Sequence, residues 1–396
     1  MQSRVPIFSL FLFFVWATIL VLSYLKVSSV KPVSEDAALI ILIGLVGMLM
    51  GSIASYFFPI RVFVTRRRWF GERVLYFAIF VSIILSLSPV FNVITYISEN
   101  GLENIRSIIF MLDEDGNSVV LGSARVQLLL SMFVKPFLYY IFILSLYRFF
   151  YFNEVKFLFL SLFCIFLMSI VTFGRFFLYH IAIFFIIGFF LKLRADEFVI
   201  KRSVFKLFFR LIIFLSLLFI TISSFRGGDG VVDTIINYHL LGVHIFSSEL
   251  ANNFSQLNSN SMFSFLSFGV FERLFVIVVT KFGIELQSTV VLVSEGLNVF
   301  RDVGSNKPLY MNAFGTWFYS LYYDGGVYWV FASLFVFGCI LTYFERVFLK
   351  FNDAKSFCII LSLFFIGYFS IFASVLESSY VFMFVLSVLF ARRDAR

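Results

Sequence analysis

Apolar stretches of about 20 residues, each ended by Lys or Arg, recur along this chain of 396 residues. An α-helix rises about 1.5 Å per residue, so about 20 apolar residues cross a hydrocarbon core of roughly 30 Å. Hydrophobic residues make up 61% of the chain and charged residues 14%, whereas about a quarter of a soluble protein is charged. These features predict an all-α polytopic membrane protein and leave no room for a separate large soluble domain.

Ten stretches have the length and composition expected of a transmembrane helix, within a range of about 10 to 12. We predict spans at 6–25, 37–60, 74–97, 126–147, 157–173, 176–191, 207–225, 327–344, 356–373 and 378–391. No small-x-small cleavage site follows the first stretch, which predicts an uncleaved span rather than a signal peptide.

The distribution of Lys and Arg predicts the orientation. With the N-terminus in the cytoplasm, 20 of the 31 basic residues fall in cytoplasmic segments, as the positive-inside rule requires. Ten spans then place both termini in the cytoplasm. The net charge of +8 belongs to these loops and indicates contact with anionic membrane lipids rather than with nucleic acid.

The spans divide the chain into three parts. These are an N-terminal bundle of seven spans (1–225), a large periplasmic loop (226–326) and three C-terminal spans (327–396). Loops of this length usually carry function. Within the loop, the apolar segment Met262–Gly283 is interrupted by Glu272 and Arg273. We interpret it as an amphipathic or re-entrant element at the membrane surface, with a further span as the alternative.

Three arginines on the predicted outer face are candidates for binding an anionic ligand. Arg175 lies in the turn between spans five and six, Arg226 opens the run Arg226–Gly230 after span seven, and Arg301 lies in the large loop. A guanidinium stays charged and offers a fork of donors that suits diphosphate oxygens. The alternative is that Arg175 and Arg226 only anchor helix ends by snorkelling.

Two of the three histidines, His239 and His244, lie in the large loop. Their spacing of five places them on different faces of a helix, so we expect no metal site there. A role as general base or as partner of a sugar hydroxyl suits them better. His180, one turn into span six, is more typical of a histidine bonded between helices.

Aromatic and polar residues crowd the run Tyr310–Gly326 before span eight. Aromatic ring faces stack on sugar C–H groups, and Asn312, Tyr319 and Asp324 supply hydrogen-bonding groups for hydroxyls. An aromatic belt at a span boundary is the alternative interpretation.

With these features, the chain resembles the O-antigen polymerases, the Wzy-type polymerases of oligosaccharide repeat units in Gram-negative inner membranes. The resemblance covers the whole layout: Phe- and Ile-rich spans, a large outer loop in the C-terminal half and a Gly174-Arg175 turn. It includes the Ser224–Gly228 exit of span seven and the Asn312–Gly326 segment, with Thr316, Tyr322 and Asp324.

The resemblance implies a GT-C-like membrane glycosyltransferase that needs neither metal nor cofactor. Such an enzyme joins undecaprenyl-diphosphate-linked oligosaccharide units on the periplasmic face, transferring the growing glycan to the next lipid-linked unit. A chain-length-determinant co-polymerase is the implied protein partner. The candidates for the catalytic base are His239, His244, Glu249 and Asp324. The candidates for substrate binding are Arg175, Arg226, Arg301, Asn312, Tyr319 and Tyr322.

Two other functions remain as alternatives. An O-antigen ligase would use a similar lipid-linked donor with a lipid A-core acceptor. A flippase or transporter of the lipid-linked unit is expected to show two related halves and charged residues near the middle of the bilayer.

Overall fold

The structure is a computed structural model, and it describes most of the chain. The described residues are 5–60, 72–101, 118, 120, 123–172, 176–195, 206, 209–210, 213, 217, 231–252, 255, 257, 266–284, 286, 288–297, 300–305, 308–312, 315–372 and 379–390. The predicted span 207–225 therefore lies largely outside the described residues.

Helices dominate the described chain, and one short hairpin accompanies them. The longer helices are α1 (Ile7–Tyr24), α2 (Glu35–Ala54), α3 (Glu72–Asn100), α4 (Ala124–Leu129), α5 (Lys135–Phe152), α6 (Val155–Thr172), α7 (Phe176–Ala195), α8 (Val231–Ala251), α9 (Gly269–Lys281), α10 (Thr289–Leu297), α11 (Trp317–Phe351), α12 (Ala354–Phe369) and α13 (Val381–Phe390). Strands β1 (Phe300–Asp302) and β2 (Tyr310–Asn312) pair antiparallel, with Arg301 opposite Met311.

Five of the described helices are long and apolar enough to cross a membrane. They are Ile7–Tyr24, Glu35–Phe57, Leu75–Asn100, Val126–Phe152 and Trp317–Phe351, and Val155–Val171 and Ala354–Phe369 are shorter apolar helices. The prediction of an all-α membrane protein is confirmed at this level.

The predicted start of a span at 327 coincides with a break in α11, which extends from Trp317 to Phe351. The sequence Gly325-Gly326 resembles a helix boundary, and the backbone does leave the helical conformation there, with φ 65° and ψ −158° at Gly326. Only glycine adopts that conformation readily. A preceding helical segment, Trp317–Asp324, therefore joins the membrane-spanning helix at a sharp break.

The described contacts divide the chain into two compact units. Unit 1 comprises residues 1–62, 229–347 and 363–381, and unit 2 comprises residues 63–228, 348–362 and 382–396. The segment 229–326 therefore packs in the same unit as α1 and α2.

Helices α2 and α11 cross closely in unit 1. An added Cβ at Gly47 would lie 2.7 Å from the Phe331 carbonyl oxygen, and one at Gly51 would collide with the Phe335 carbonyl. On the other helix, a Cβ at Gly338 would collide with the Met48 carbonyl. Small residues let helix backbones approach this closely, which is how membrane helices gain packing energy without a hydrophobic driving force.

Unit 2 is organised around α6, which packs on α3, α5 and α7. Hydroxyls bridge α5 and α6, where the oxygens of Ser145 and Ser161 are 3.0 Å apart. The π-helical turn Leu130–Val134 precedes α5, and Asn153, in the left-handed conformation at φ 60°, ends it.

Helix α9 corresponds to the apolar segment predicted at Met262–Gly283. It has 13 residues, about 20 Å of helix, which is shorter than the roughly 30 Å hydrocarbon core. Gly269 and Val270 are buried, whereas Phe271, Phe275 and Val278 are exposed. This arrangement agrees with an amphipathic surface element better than with a further span.

Candidate functional site

The connection between α1 and α2 lies along one face of α8. Ser29 and Asn237 exchange side-chain hydrogen bonds at 3.3 to 3.5 Å. Immediately before α2, the backbone N–H of Ser34 donates to Ser247 Oγ at 2.8 Å. The short polar loop is therefore fixed to the helix at both of its ends.

The β hairpin covers the other side of the same loop. Val30 forms a β bridge with Gly304, and the Lys31 N–H donates to the Val303 carbonyl at 2.8 Å. The Ser305 N–H donates to the Ser29 carbonyl at 2.7 Å. Three segments distant in sequence thus meet here, and we call their charged and polar residues (Lys31, Asn237, His244, Glu249, Arg301 and Asp302) the loop cluster.

An ion pair joins the hairpin to the end of α8 within the loop cluster. Arg301 Nη1 donates to Glu249 Oε1, and Ser255 Oγ donates to Glu249 Oε2 at 2.5 Å. The Glu249 side chain is buried, whereas Arg301 keeps 33% of its side chain exposed. Both carboxylate oxygens are engaged, so this contact favours a role for Glu249 in orienting Arg301.

His244 is the buried histidine of the loop cluster. Its ring lies near the Pro32 carbonyl, and its Nδ1 has no hydrogen-bond partner. Burial, together with the nearby Lys31 ammonium, lowers the pKa of His244 to about 4. The ring is therefore neutral at pH 7, with Nδ1 available to accept a proton or a hydrogen bond.

Asp302 shapes the hairpin beside His244. Its Oδ1 accepts hydrogen bonds from the backbone N–H groups of Gly304, at 3.0 Å, and Leu309, at 2.9 Å. These bonds lower the pKa of Asp302, and Lys31 and His244 contribute. The Lys31 ammonium donates to the Asp302 carbonyl at 3.2 Å, which keeps a cation at the exposed edge of the loop cluster.

The structure separates the two loop histidines. The ring of His239 meets Phe372 edge-on, with centroids 4.6 Å apart, whereas His244 faces the α1–α2 connection. The sequence spacing predicted this difference in facing, and the structure decides that His244 is the one beside Lys31.

Asp324, another candidate base, holds the start of a helix. Its Oδ1 and Oδ2 accept from the backbone N–H groups of Leu266 and Ser267, each at 2.7 Å. Free N–H groups at a helix start favour a carboxylate. This geometry favours an anchoring role for Asp324, at the short 3₁₀ turn Leu266–Phe268 that leads into α9.

The aromatic candidates take packing positions. Tyr319 is 2% exposed, and its ring stacks on Tyr323. Tyr322 is half-buried with its ring against Phe246. Asn312 pairs through its backbone with Phe300. Of the two tyrosines, Tyr322 is the one that keeps an accessible surface on which a sugar can rest.

Two of the predicted anion-binding arginines, Arg175 and Arg226, lie outside the described residues. The prediction for His180 is confirmed, because its Nδ1 and the Tyr139 hydroxyl are 2.7 Å apart in a buried contact between α5 and α7.

Lys31 and Asn237 were not predicted from the sequence. Lys31 lies in a short connection that resembles any polar turn. Asn237 hydrogen-bonds to Ser29, which is 208 residues away in the sequence. One signal was present: Lys31 is among the few basic residues on the predicted outer face, where the positive-inside rule makes cations uncommon.

The loop cluster combines two fixed cations, a neutral imidazole and a buried carboxylate. Such a set can hold an anionic ligand while the imidazole accepts a proton from a hydroxyl. A search of protein-family models, of curated proteins and of solved structures finds no match to this chain.

Proposed function

We propose that this chain polymerises undecaprenyl-diphosphate-linked O-antigen repeat units on the periplasmic face of the inner membrane. The chain would carry about ten spans in a GT-C-like arrangement, with both termini cytoplasmic. It would transfer the growing glycan to the next lipid-linked unit, and a chain-length-determinant co-polymerase would set the product length.

The two ends of α2 support this orientation. At its start lies the loop cluster, which includes Lys31. At its other end, Arg346 donates to the backbone carbonyls of Ser55 and Phe58 and lies over the Tyr56 ring. Arg346, which is predicted to be cytoplasmic, thus lies at the end of α2 opposite the loop cluster.

One observation carries the proposal: the buried His244, with its unpartnered Nδ1, belongs to the same cluster as the cations Lys31 and Arg301. Glycan transfer breaks the bond between the anomeric carbon and a diphosphate oxygen, and negative charge develops on the leaving lipid diphosphate. Fixed cations lower the energy of that charge. The new bond forms to a sugar hydroxyl, whose proton must be accepted.

In this mechanism His244 accepts the hydroxyl proton at Nδ1. A neutral imidazole carries its proton on one ring nitrogen, and the tautomer protonated at Nε2 leaves Nδ1 as the acceptor. Glu249 holds the Arg301 guanidinium toward the diphosphate. His239, Asp324 and Tyr322 are further predicted site residues, with Arg226 and Arg175 as additional anion contacts.

A deletion strain tests the function. Loss of the polymerase leaves lipid A-core capped with a single repeat unit, whereas loss of a ligase or a flippase leaves it uncapped. We expect single-unit capping, restored to long chains by the wild-type gene. Uncapped lipid A-core would overturn the proposal in favour of the ligase or the flippase.

Variants in the same strain test the site. We expect His244→Gln to shorten the polysaccharide while the protein inserts at normal levels. The matched control is Ser248→Ala on the same helix, because Ser248 Oγ bonds only locally, to the Ile245 carbonyl at 2.9 Å. Wild-type chain lengths in His244→Gln would remove His244 from the mechanism.

A further inference from the structure

A lysine lies within a membrane-spanning helix of unit 2. Lys135 falls inside the apolar span Val126–Phe152. A charged side chain at membrane depth costs about 2.5 to 3.5 kcal/mol on insertion scales, so such residues usually face the bundle interior and mark a ligand path. The proposed polymerase mechanism makes no use of Lys135.

Polar and aromatic side chains of two helices surround this lysine. The Lys135 ammonium lies 5.5 Å from the centre of the Phe177 ring, and Phe177 stacks on Tyr139. Tyr139 in turn is hydrogen-bonded to His180, which is close enough to Lys135 to interact with it electrostatically. We call Lys135, Tyr139, Phe177 and His180 the Lys135 cluster.

The backbone before Lys135 departs from a regular helix. Leu130–Val134 forms a π-helical turn, which closes with a bond from the Lys135 N–H to the Leu130 carbonyl. Pro136 follows and has no N–H to continue the regular pattern. Such turns are frequent at functional sites because they redirect a side chain. Here the turn sets the direction in which Lys135 leaves the helix.

The Lys135 cluster lies near one end of its helix pair. His180 is the fifth residue of α7, about 6 Å from the first residue of that helix. Lys135 precedes Tyr139 by one turn, so it lies level with the first residues of α7. In the predicted topology this is the outer end, where a lysine reaches headgroup depth by snorkelling.

From this placement we infer that the Lys135 cluster binds the phosphate of a lipid headgroup in the outer leaflet. An ammonium is a compact donor for phosphate oxygens, and the buried rings of Tyr139 and Phe177 support it from the protein side. The inference deepens the proposed function, on which the identity of the lipid rests: the lipid would be the undecaprenyl diphosphate carrier.

Binding of undecaprenyl diphosphate to the purified full-length protein tests the inference, with bound lipid measured by native mass spectrometry. We expect Lys135→Met to weaken binding about tenfold, because it removes one charge-assisted contact. Lys135→Arg should remain within about threefold of wild type, since it keeps the charge. Lys135→Gln, which removes the charge but keeps a polar side-chain amide, provides a second measurement of lipid binding if Lys135→Met does not fold.

Lys192 provides a matched control within the same pair of helices. Its ammonium lies 3.8 Å from the centre of the Tyr151 ring, at the opposite end of α7, so Lys192→Met should bind the lipid as the wild type does. Wild-type affinity in both Lys135→Met and Lys135→Gln would overturn the inference. Equal losses in Lys192→Met and Lys135→Met would overturn it too.

Competing ligands identify the source of the phosphate. Excess phosphatidylglycerol or inorganic pyrophosphate should leave undecaprenyl diphosphate bound. Displacement by phosphatidylglycerol would reassign the cluster to bulk phospholipid, and displacement by pyrophosphate would reject the requirement for a lipid. Lysine-dependent lipid binding without any polymer formation would instead refute the proposed function and leave this inference standing.

Discussion

Arg301 on strand β1 forms an ion pair with Glu249 near the end of α8, across 52 residues of sequence. The second carboxylate oxygen of Glu249 accepts from Ser255 Oγ. This contact fixes the hairpin against the helix that carries His244. It therefore holds Arg301 and His244 in the same part of the loop cluster.

Removing Arg301 should destabilise the protein. Arg301→Ala leaves the buried Glu249 carboxylate without its cation, and we expect a loss of about 2 to 3 kcal/mol in the free energy of unfolding. Unfolding in mixed detergent micelles measures it. The double variant Arg301→Ala, Glu249→Gln should recover part of the loss, because it removes the buried charge.

Arg148 and Glu154 supply a control for that measurement. Their ion pair is 3.3 Å long, with 21% and 49% of the side chains exposed. Exposed pairs contribute at most about 1 kcal/mol, so Glu154→Gln should change little. A loss in Arg301→Ala no larger than in Glu154→Gln would contradict the assignment of a supporting role to the buried pair.

Acidification should destabilise the protein through His244. An unfolded imidazole has a pKa of 6.5, whereas burial lowers the pKa of folded His244 to about 4. Between these values the unfolded state binds more protons, so stability is full above pH 6.5 and falls as the pH drops toward 4. The loss amounts to about 3 kcal/mol at most.

Melting temperatures of the wild type and of His244→Gln, compared across this pH range, measure the effect. The wild type should lose more stability on acidification than the variant, because only the wild type contains His244. The contributions of His180 and His239 are common to both proteins and cancel in the comparison. Identical pH profiles would show that His244 titrates normally, and would remove the argument for a neutral imidazole.

The crossing of α2 and α11 should not tolerate a methyl group. We expect Gly51→Ala and Gly338→Ala each to cost about 2 kcal/mol or more, because the added Cβ meets a backbone carbonyl that cannot rotate away. Thermal unfolding of the purified variants, with retained expression in membranes, gives the readout.

Gly188 is the matched control. Its nearest obstacle is a side-chain atom of Phe150, 3.1 Å from the added Cβ, which can shift. Alanine also gains about 1 kcal/mol of helix propensity over glycine, so Gly188→Ala should be close to neutral. Similar costs at Gly51 and Gly188 would argue against backbone contact as the cause.

Asp324→Asn should release the start of α9. The amide NH₂ group would face a backbone N–H in place of an accepting oxygen, at a cost of about 1 to 2 kcal/mol. Hydrogen exchange should become faster in Leu266–Lys281. Asp353→Asn, which disturbs the cap of α12 at Ser356, should leave that segment protected.

The same variant separates the two roles considered for Asp324. Faster exchange together with lost polymerisation indicates an anchor. Lost polymerisation with unchanged exchange would instead support the catalytic role predicted from the sequence.

The helices of the membrane region could be predicted because their signal is local. A stretch such as Ile7–Tyr24 has no alternative to a helix in lipid, where every backbone polar group must be bonded within the segment. The interpretation of Met262–Gly283 drew on equally local information, the charges that interrupt its apolar run. The boundary at Gly325-Gly326 could be predicted as well, because paired glycines favour a break in a helix, but the helical segment Trp317–Asp324 before it was not expected.

The candidate site could be predicted only in part. His244, Glu249 and Arg301 stand out by residue type and by position in a long loop. Asp324 and Tyr319 stand out in the same way, but the structure gives them anchoring and packing contacts. Residue type alone does not distinguish a carboxylate that caps the start of a helix from one that contacts a substrate.

The sequence by itself determined the membrane class and the positions of most helices, because hydropathy and chain length act residue by residue. Tertiary structure alone decided that Lys31 meets Asp302 and that Lys135 lies over Phe177. Such contacts between segments far apart in the chain depend on how loops and helix faces pack. Polar loop residues carry no periodicity from which that packing can be read.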